Sequence, residues 1–177
     1  MEKELFEVDI AGYPAKLPLP SGVKIAFFNL HGDTALTEHC GKALAKYLSD
    51  CEVLITAESK GLQLTHVTAR ELGMPYYAVA RKSKKLYMQD GIDVTMKASI
   101  TTGTIQKLYL SKHDVDLLNG KKVGIVDDVL STGASLEGLE EIVNKAGGIV
   151  HKKAFVLAEG DAQFRKDVIY LATIPIL

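Results

Sequence analysis

Residues 122–136, Lys-Val-Gly-Ile-Val-Asp-Asp-Val-Leu-Ser-Thr-Gly-Ala-Ser-Leu, constrain the fold of this chain more than any other stretch. The run 123–126 is apolar and β-branched at three of its four positions, the composition of a strand buried in a parallel sheet. Two carboxylates, Asp127 and Asp128, follow at its end, then a small polar loop. Leu136, Leu139, Ile142, Val143 and Ala146 recur beyond it at helical spacing. The unit is therefore strand, acid pair, Ser/Thr/Gly loop, helix. Such a loop aims several backbone N–H groups and the positive end of the helix dipole outward, which suits a phosphate. Ser131, Thr132 and Ser135 add hydroxyl donors, and Gly133 lets the backbone approach a ligand closely. Val129, Leu130 and Ala134 complete the expected phosphate loop.

The acids need a reason of their own. A bare anion would be repelled by them, so the ligand should also carry hydroxyls or a divalent cation. A ribose 5-phosphate satisfies both conditions, with its phosphate in the loop and its 2′- and 3′-hydroxyls donating to Asp127 and Asp128. Each hydrogen bond to a charged group would contribute roughly 1.5–3 kcal/mol. The competing reading is a turn whose Asp, Ser and Thr only cap the helix. At this point the stretch resembles the signature of the type I phosphoribosyltransferases, which bind phosphoribosyl pyrophosphate.

The 177 residues suffice for one domain with a full core. Apolar residues make up 47% and charged ones 24%, which excludes disorder as a description of the whole chain. A net charge of −1 carries no nucleic-acid footprint, and no apolar run reaches membrane-spanning length. The acidic start Met1-Glu2-Lys3-Glu4 is unlike a signal peptide, so a cytoplasmic location without membrane or nucleic-acid partners is expected. Cys40 and Cys51 show no metal pattern, and Cys40 shares a helical face with Leu36 and Leu44, as a core thiol would. The scattered histidines lack metal-ligand spacing.

Along the chain, 5–10 and 13–17 read as strands about a turn at Gly12, and 23–28 as a third strand. Together they suggest a small N-terminal β-rich hood over 1–32, ahead of an α/β core at 33–177. Asp33 or Thr34 can cap a helix running to about 49. A first core strand is expected at 52–56 and further strands at 74–80, 105–110, 123–126, 149–158 and 168–171, with helices at 62–72 and from 136 and a ribbon between 94 and 100. Strands alternating with helices predict an α/β fold with a mainly parallel sheet. In such sheets ligands sit at the carboxyl ends of the strands, which collects the loops 57–61, 81–85 and 127–135 onto one edge.

The loop Glu58-Ser59-Lys60-Gly61 again places N–H groups at a helix start. It is similar to the acid-Ser-Arg-Gly stretch of adenine phosphoribosyltransferases, with lysine for arginine, and that resemblance implies pyrophosphate contact by Glu58, Ser59 and Lys60. A capping loop on the surface is the plainer alternative. Arg81-Lys82-Ser83-Lys84-Lys85 ends a strand on the same edge, where the family has an Arg-Lys leading into a mobile lid. The resemblance implies pyrophosphate contact by Arg81, Lys82 and Lys85 and a lid over about 83–104. The run 27–36 looks like the stretch of xanthine phosphoribosyltransferases in which an asparagine at the Asn29 position contacts the purine. Phe28, Asn29, Val129 and Glu159 are accordingly the expected base-pocket residues, although Phe28 also fits a core position.

Two features favour adenine over a 6-oxopurine. The Ser-Thr-Gly-Ala-Ser signature is similar to that of the adenine enzymes, and Glu159-Gly160 stands where 6-oxopurine enzymes commonly place a lysine. The resemblance thus implies a purine phosphoribosyltransferase, adenine ahead of xanthine, with Asp127 and Asp128 as the catalytic pair. It also implies Mg²⁺ held mainly through phosphoribosyl pyrophosphate rather than by the protein directly, and a homodimer. The alternative is a non-catalytic regulator, related to the purine repressors, that binds phosphoribosyl pyrophosphate through the same fold. A phosphotransfer enzyme or hydrolase using Asp127 or Asp128 as nucleophile would leave the Ser/Thr-rich loop unexplained.

Overall fold

In the computed structural model, which describes residues 5–20, 25–96 and 105–176, the chain opens with an antiparallel hairpin of β1 (Leu5–Ile10) and β2 (Tyr13–Pro18). Its turn is tied by Asp9 Oδ1, which accepts the Gly12 N–H at 2.7 Å. Then follow α1 (Thr34–Ala45), β3 (Val53–Ala57), α2 (Leu62–Glu71) and the short β4 (Ala78–Ala80). A second hairpin, β5 (Ile92–Met96) with β6 (Gln106–Leu110), precedes α3 (Lys112–Leu118), β7 (Lys122–Leu130) and α4 (Ala134–Lys145). β8 (Ile149–Glu159), a 3-10 turn at Gly160–Phe164 and β9 (Ile169–Ile174) complete the described chain. Among the described residues, no helix is long and apolar enough to cross a membrane.

Five strands form one parallel sheet in the order β4-β3-β7-β8-β9, with β7 at its centre. Period-two alternation divides the interior into two cores. Val53 and Ile55 of β3 join α4, α3 and the β5–β6 hairpin on one face; Leu54 joins α1, α2 and the β1–β2 hairpin on the other. Leu136, Leu139, Ile142 and Val143 supply the apolar stripe of α4. Cys40 is fully buried beside Leu36 and Leu44, as its helical spacing predicts. Asp33 caps α1, its Oδ1 accepting the Leu36 N–H at 3.0 Å.

The structure departs from the sequence expectations in several places; the strand expected at 74–80, for one, narrows to Ala78–Ala80, and the helix expected to run to about 49 ends at Ala45. The ribbon begins at Ile92, pairs with β6 as a sheet of its own and buries Val94 and Met96 against α4. The contact is close enough that a Cβ at Gly138 of α4 would stand 2.9 Å from Met96 Cγ. Part of the segment expected as a lid is thus a core strand, while 97–104 lie outside the described residues. Of the strand expected at 23–28, residues 23 and 24 lie outside the described residues and Ile25 forms an isolated bridge to Ile176. The helix α3, capped by Ser111, was not anticipated, because seven residues are too few to display a periodic stripe. Finally, β7 extends through Leu130, so both aspartates lie within the strand rather than at its end.

Candidate active site

The extension of β7 matters because its two neighbours stop at different heights. Its register with β3 ends at Ile55–Ile125, whereas that with β8 continues through Asp127–Phe155 to Leu130–Ala158. The acid pair therefore stands where β7 has a partner strand on one side only, at the carboxyl edge of the sheet. Asp128 is buried at 6% exposure and Asp127 is half-buried. Asp127 Oδ1 accepts the Asp128 N–H at 2.9 Å, and Asp128 Oδ1 accepts the Val129 N–H at 2.8 Å. Burial, and then the neighbouring Asp128 carboxylate, push the Asp127 carboxyl up to about 7, with Lys82 opposing the rise. A cation or a set of hydroxyl donors arriving here would relieve that repulsion.

Beyond the acids the chain turns through Gly133, whose φ of +87° few residues other than glycine adopt readily, and enters α4. The first N–H groups of α4 lie at the positive end of the helix, where Gly133 offers no side-chain cap and Thr132 Oγ1 accepts the Ala134 N–H at 3.5 Å. They border a cavity of about 90 Å³ lined by Asp127, Val129, Leu130, the run 131–135, Leu136 and Phe155. Ser131, Thr132 and Ser135 are exposed. The cavity suits a single phosphate group rather than a whole nucleotide. All seven residues expected in the phosphate loop line it.

The loops expected to hold pyrophosphate flank the acids on the β3–β4 side. Burial pushes the Glu58 carboxyl up, but the Lys82 N–H at 2.6 Å and the Arg81 Nε at 2.7 Å outweigh it and hold the group below its ordinary value. Glu58 is thus committed to binding the second loop to the first. Arg81 also donates to the Tyr87 hydroxyl at 2.9 Å, and Lys85 Nζ donates to Ser83 Oγ at 2.8 Å. Ser59 and Lys60 are exposed, and the Lys60 ammonium sits 5.6 Å from the centroid of the Phe27 ring. Gly61 is obligatory here, since a Cβ would stand 2.2 Å from Thr56 Oγ1 and 2.9 Å from Asp127 Oδ1.

At the expected base pocket the structure separates the candidates. Phe28 turns into the α1-side core at 3% exposure, and Phe27, at 49%, is the ring that meets Lys60. Asn29 is exposed and its side chain accepts the His31 N–H at 3.0 Å. Glu159 is buried at the end of β8, level with Ile174 of β9. Sequence reasoning missed Phe27, Thr56 and Arg165. The Arg165 guanidinium, held by Asp167 at 2.7 and 2.9 Å, places its Nη1 3.2 Å from where a Gly133 Cβ would stand. No local pattern marks these three, whose neighbours are brought in by the fold.

Among the described residues no three His, Cys, Asp or Glu side chains converge as a metal site. The acid pair alone is too sparse a donor set for Mg²⁺, which favours six oxygens, but it suits a cation that brings ligand and water oxygens with it.

Comparison with known proteins agrees with this architecture. Residues 29–172 match the phosphoribosyl transferase domain. The xanthine phosphoribosyltransferase of Exiguobacterium sp. is 34% identical over 140 residues, covering 75% of this chain and 71% of that protein. The xanthine phosphoribosyltransferase of Limosilactobacillus fermentum is 33% identical over 138 residues, covering 73% and 69%. Among solved structures, adenine phosphoribosyltransferase from Giardia lamblia in complex with 9-deazaadenine superposes with a TM-score of 0.70 at 19% identity, over 96% of this chain and 93% of that one. The enzyme from Thermoanaerobacter pseudethanolicus gives a TM-score of 0.67 at 23% identity, over 96% and 95%. At those identities the structures establish the shared fold, while the domain match and the sequence relatives establish kinship. The chain belongs to the phosphoribosyl transferase family.

Proposed function

We propose that this protein is a purine phosphoribosyltransferase: the free base attacks C1′ of phosphoribosyl pyrophosphate, pyrophosphate leaves, and a nucleoside monophosphate forms. The observation that carries the reading is the juxtaposition of the phosphate-sized cavity at the start of α4 with two carboxylates at the edge of the sheet. The loop 131–135 receives the 5′-phosphate. Asp127 and Asp128 accept hydrogen bonds from the ribose hydroxyls and favour positive charge developing on the sugar. Arg81, Lys82, Lys85, Lys60 and Ser59 face the pyrophosphate, with Glu58 setting the positions of Arg81 and Lys82. Beside Asp127 and Asp128 a Mg²⁺ arriving with the ligand would supply charge neutralisation for the leaving group.

Adenine is the favoured base. A carboxylate at the Glu159 position attracts an exocyclic amino donor and disfavours an exocyclic oxygen, and the Ser-Thr-Gly-Ala-Ser loop resembles that of the adenine enzymes. Xanthine is the second reading, supported by the names of the sequence relatives and by Asn29. A turnover panel decides between them. Purified protein receives phosphoribosyl pyrophosphate, Mg²⁺ and, separately, adenine, hypoxanthine, guanine, xanthine, uracil or orotate, with nucleotide and pyrophosphate both quantified. Adenosine monophosphate is the expected product. Xanthosine monophosphate as the main product would transfer the assignment to xanthine, and silence with every base would refute the activity.

A further inference from the structure

Thr56 is the one described residue whose buried side-chain oxygen or nitrogen has no hydrogen-bond partner. It is fully buried in β3, on the face that Leu54 gives to the α1-side core. The other buried threonines are satisfied within or beside their own helices. Thr65 donates to the Gly61 carbonyl and Thr68 to the Leu64 carbonyl, both at 2.8 Å, and Thr37 to the Leu30 carbonyl at 3.4 Å. A strand offers threonine no such carbonyl one turn back, so its acceptor must come from a neighbouring element. Valine has the same shape, favours strands and would suit this apolar face without leaving a hydroxyl unsatisfied. Packing therefore gives no reason for the oxygen.

Its surroundings do. Thr56 Oγ1 and Asp127 Oδ1 both lie within 3 Å of one point, the position where a Gly61 Cβ would stand, at 2.2 and 2.9 Å from it. Glycine leaves that point, close to both hydroxyl and carboxylate, clear. We propose that Thr56 is a positioning residue, whose hydroxyl donates to the Asp127 carboxylate in the ligand-bound enzyme and aims it at the ribose. The inference rests on the phosphoribosyl pyrophosphate reading of the site, and it deepens that reading by joining β3 to the catalytic strand through one buried donor. Asp127 Oδ1 then receives both the Asp128 N–H and the Thr56 O–H, which fixes the carboxylate plane and leaves Oδ2 for the ligand.

The test compares wild type, Thr56→Val and Thr56→Ser by thermal unfolding, by calorimetric titration with phosphoribosyl pyrophosphate and Mg²⁺, and by turnover. Removing an unpartnered hydroxyl should leave the unfolding temperature of T56V equal to or above wild type. The same change should weaken phosphoribosyl pyrophosphate affinity and kcat/KM by roughly ten- to a hundredfold, the value of a hydrogen bond to a charged group. T56S, which keeps the hydroxyl, should stay within about threefold of wild type. Wild-type affinity in T56V overturns the proposal. So does a T56V that is destabilised, because the hydroxyl would then serve the fold, and so does a T56S as impaired as T56V, because the methyl would then be responsible. If wild type binds phosphoribosyl pyrophosphate but turns over no base, the proposed activity fails while the calorimetric comparison still decides the role of Thr56.

Discussion

Replacing Asp127 with asparagine should make the ligand-free protein more stable and the enzyme far less active, with a stability gain that depends on pH in a defined direction. The amide retains the oxygen that accepts the Asp128 N–H and removes one of two adjacent negative charges. Burial and Asp128 raise the Asp127 carboxyl from 3.8 to about 7. A group with a raised folded value binds its proton more tightly in the native state. Its stabilising contribution is fully present below the unfolded value and is lost as pH rises through the folded one. Wild type therefore bears the whole cost above about pH 7 and progressively less toward pH 4. At about 1.36 kcal/mol per unit, the rise would amount to roughly 4 kcal/mol if Asp127 alone carried it. Because the repulsion is shared by the pair, on the order of 2 kcal/mol is expected at pH 8. For a domain of this size that is roughly 4–8 °C in Tm. Thermal unfolding of D127N and wild type at steps between pH 4.5 and 8, without ligand, reads the difference directly. It should be largest at pH 8 and shrink as pH falls, while kcat/KM for phosphoribosyl pyrophosphate drops by roughly a hundredfold or more. An asparagine variant no more stable than wild type at pH 8, or one with the same advantage at every pH, would refute the assignment of strain to this carboxylate.

Two further substitutions test the loops. Gly133→Ala forces a side chain into a φ of +87° beside the Arg165 guanidinium; it should cost about 1–2 kcal/mol in urea unfolding and weaken ribose 5-phosphate binding measured by calorimetry. Glu58→Gln keeps an acceptor but removes the charge that holds Arg81 and the Lys82 N–H, so KM for phosphoribosyl pyrophosphate should rise roughly tenfold with kcat changed far less. An unchanged KM would show that Arg81 and Lys82 do not depend on Glu58 for their placement.

Much of this site is legible in the order of residues. The β-branched run before Asp127, the acid pair, the Ser/Thr/Gly loop and the apolar stripe from Leu136 onward are contiguous, and each is a local property: composition, dipole, hydroxyl and period. Those properties suffice for the α/β class and for the edge of the sheet on which the cavity lined by residues 129–135 lies. What the sequence could not decide depends on partners distant along the chain. Glu58 reads locally as a ligand-facing acid, yet Arg81, 23 positions away, makes it a clamp between loops. Phe27 and Phe28 are indistinguishable by composition, and only packing against α1 turns one inward and leaves the other over Lys60. Residues 92–96 look like part of a polar lid until α4 offers an apolar face and a glycine notch for Val94 and Met96. Thr56 is the clearest case. Within its strand it is one more β-branched residue, and only the arrival of Gly61 and Asp127 from two other segments turns its hydroxyl into an unpaired donor beside a carboxylate. Periodicity and motif report which face of an element is apolar and where a loop can bind an anion; which side chains meet across elements is set by tertiary packing, because that is where their distances are determined.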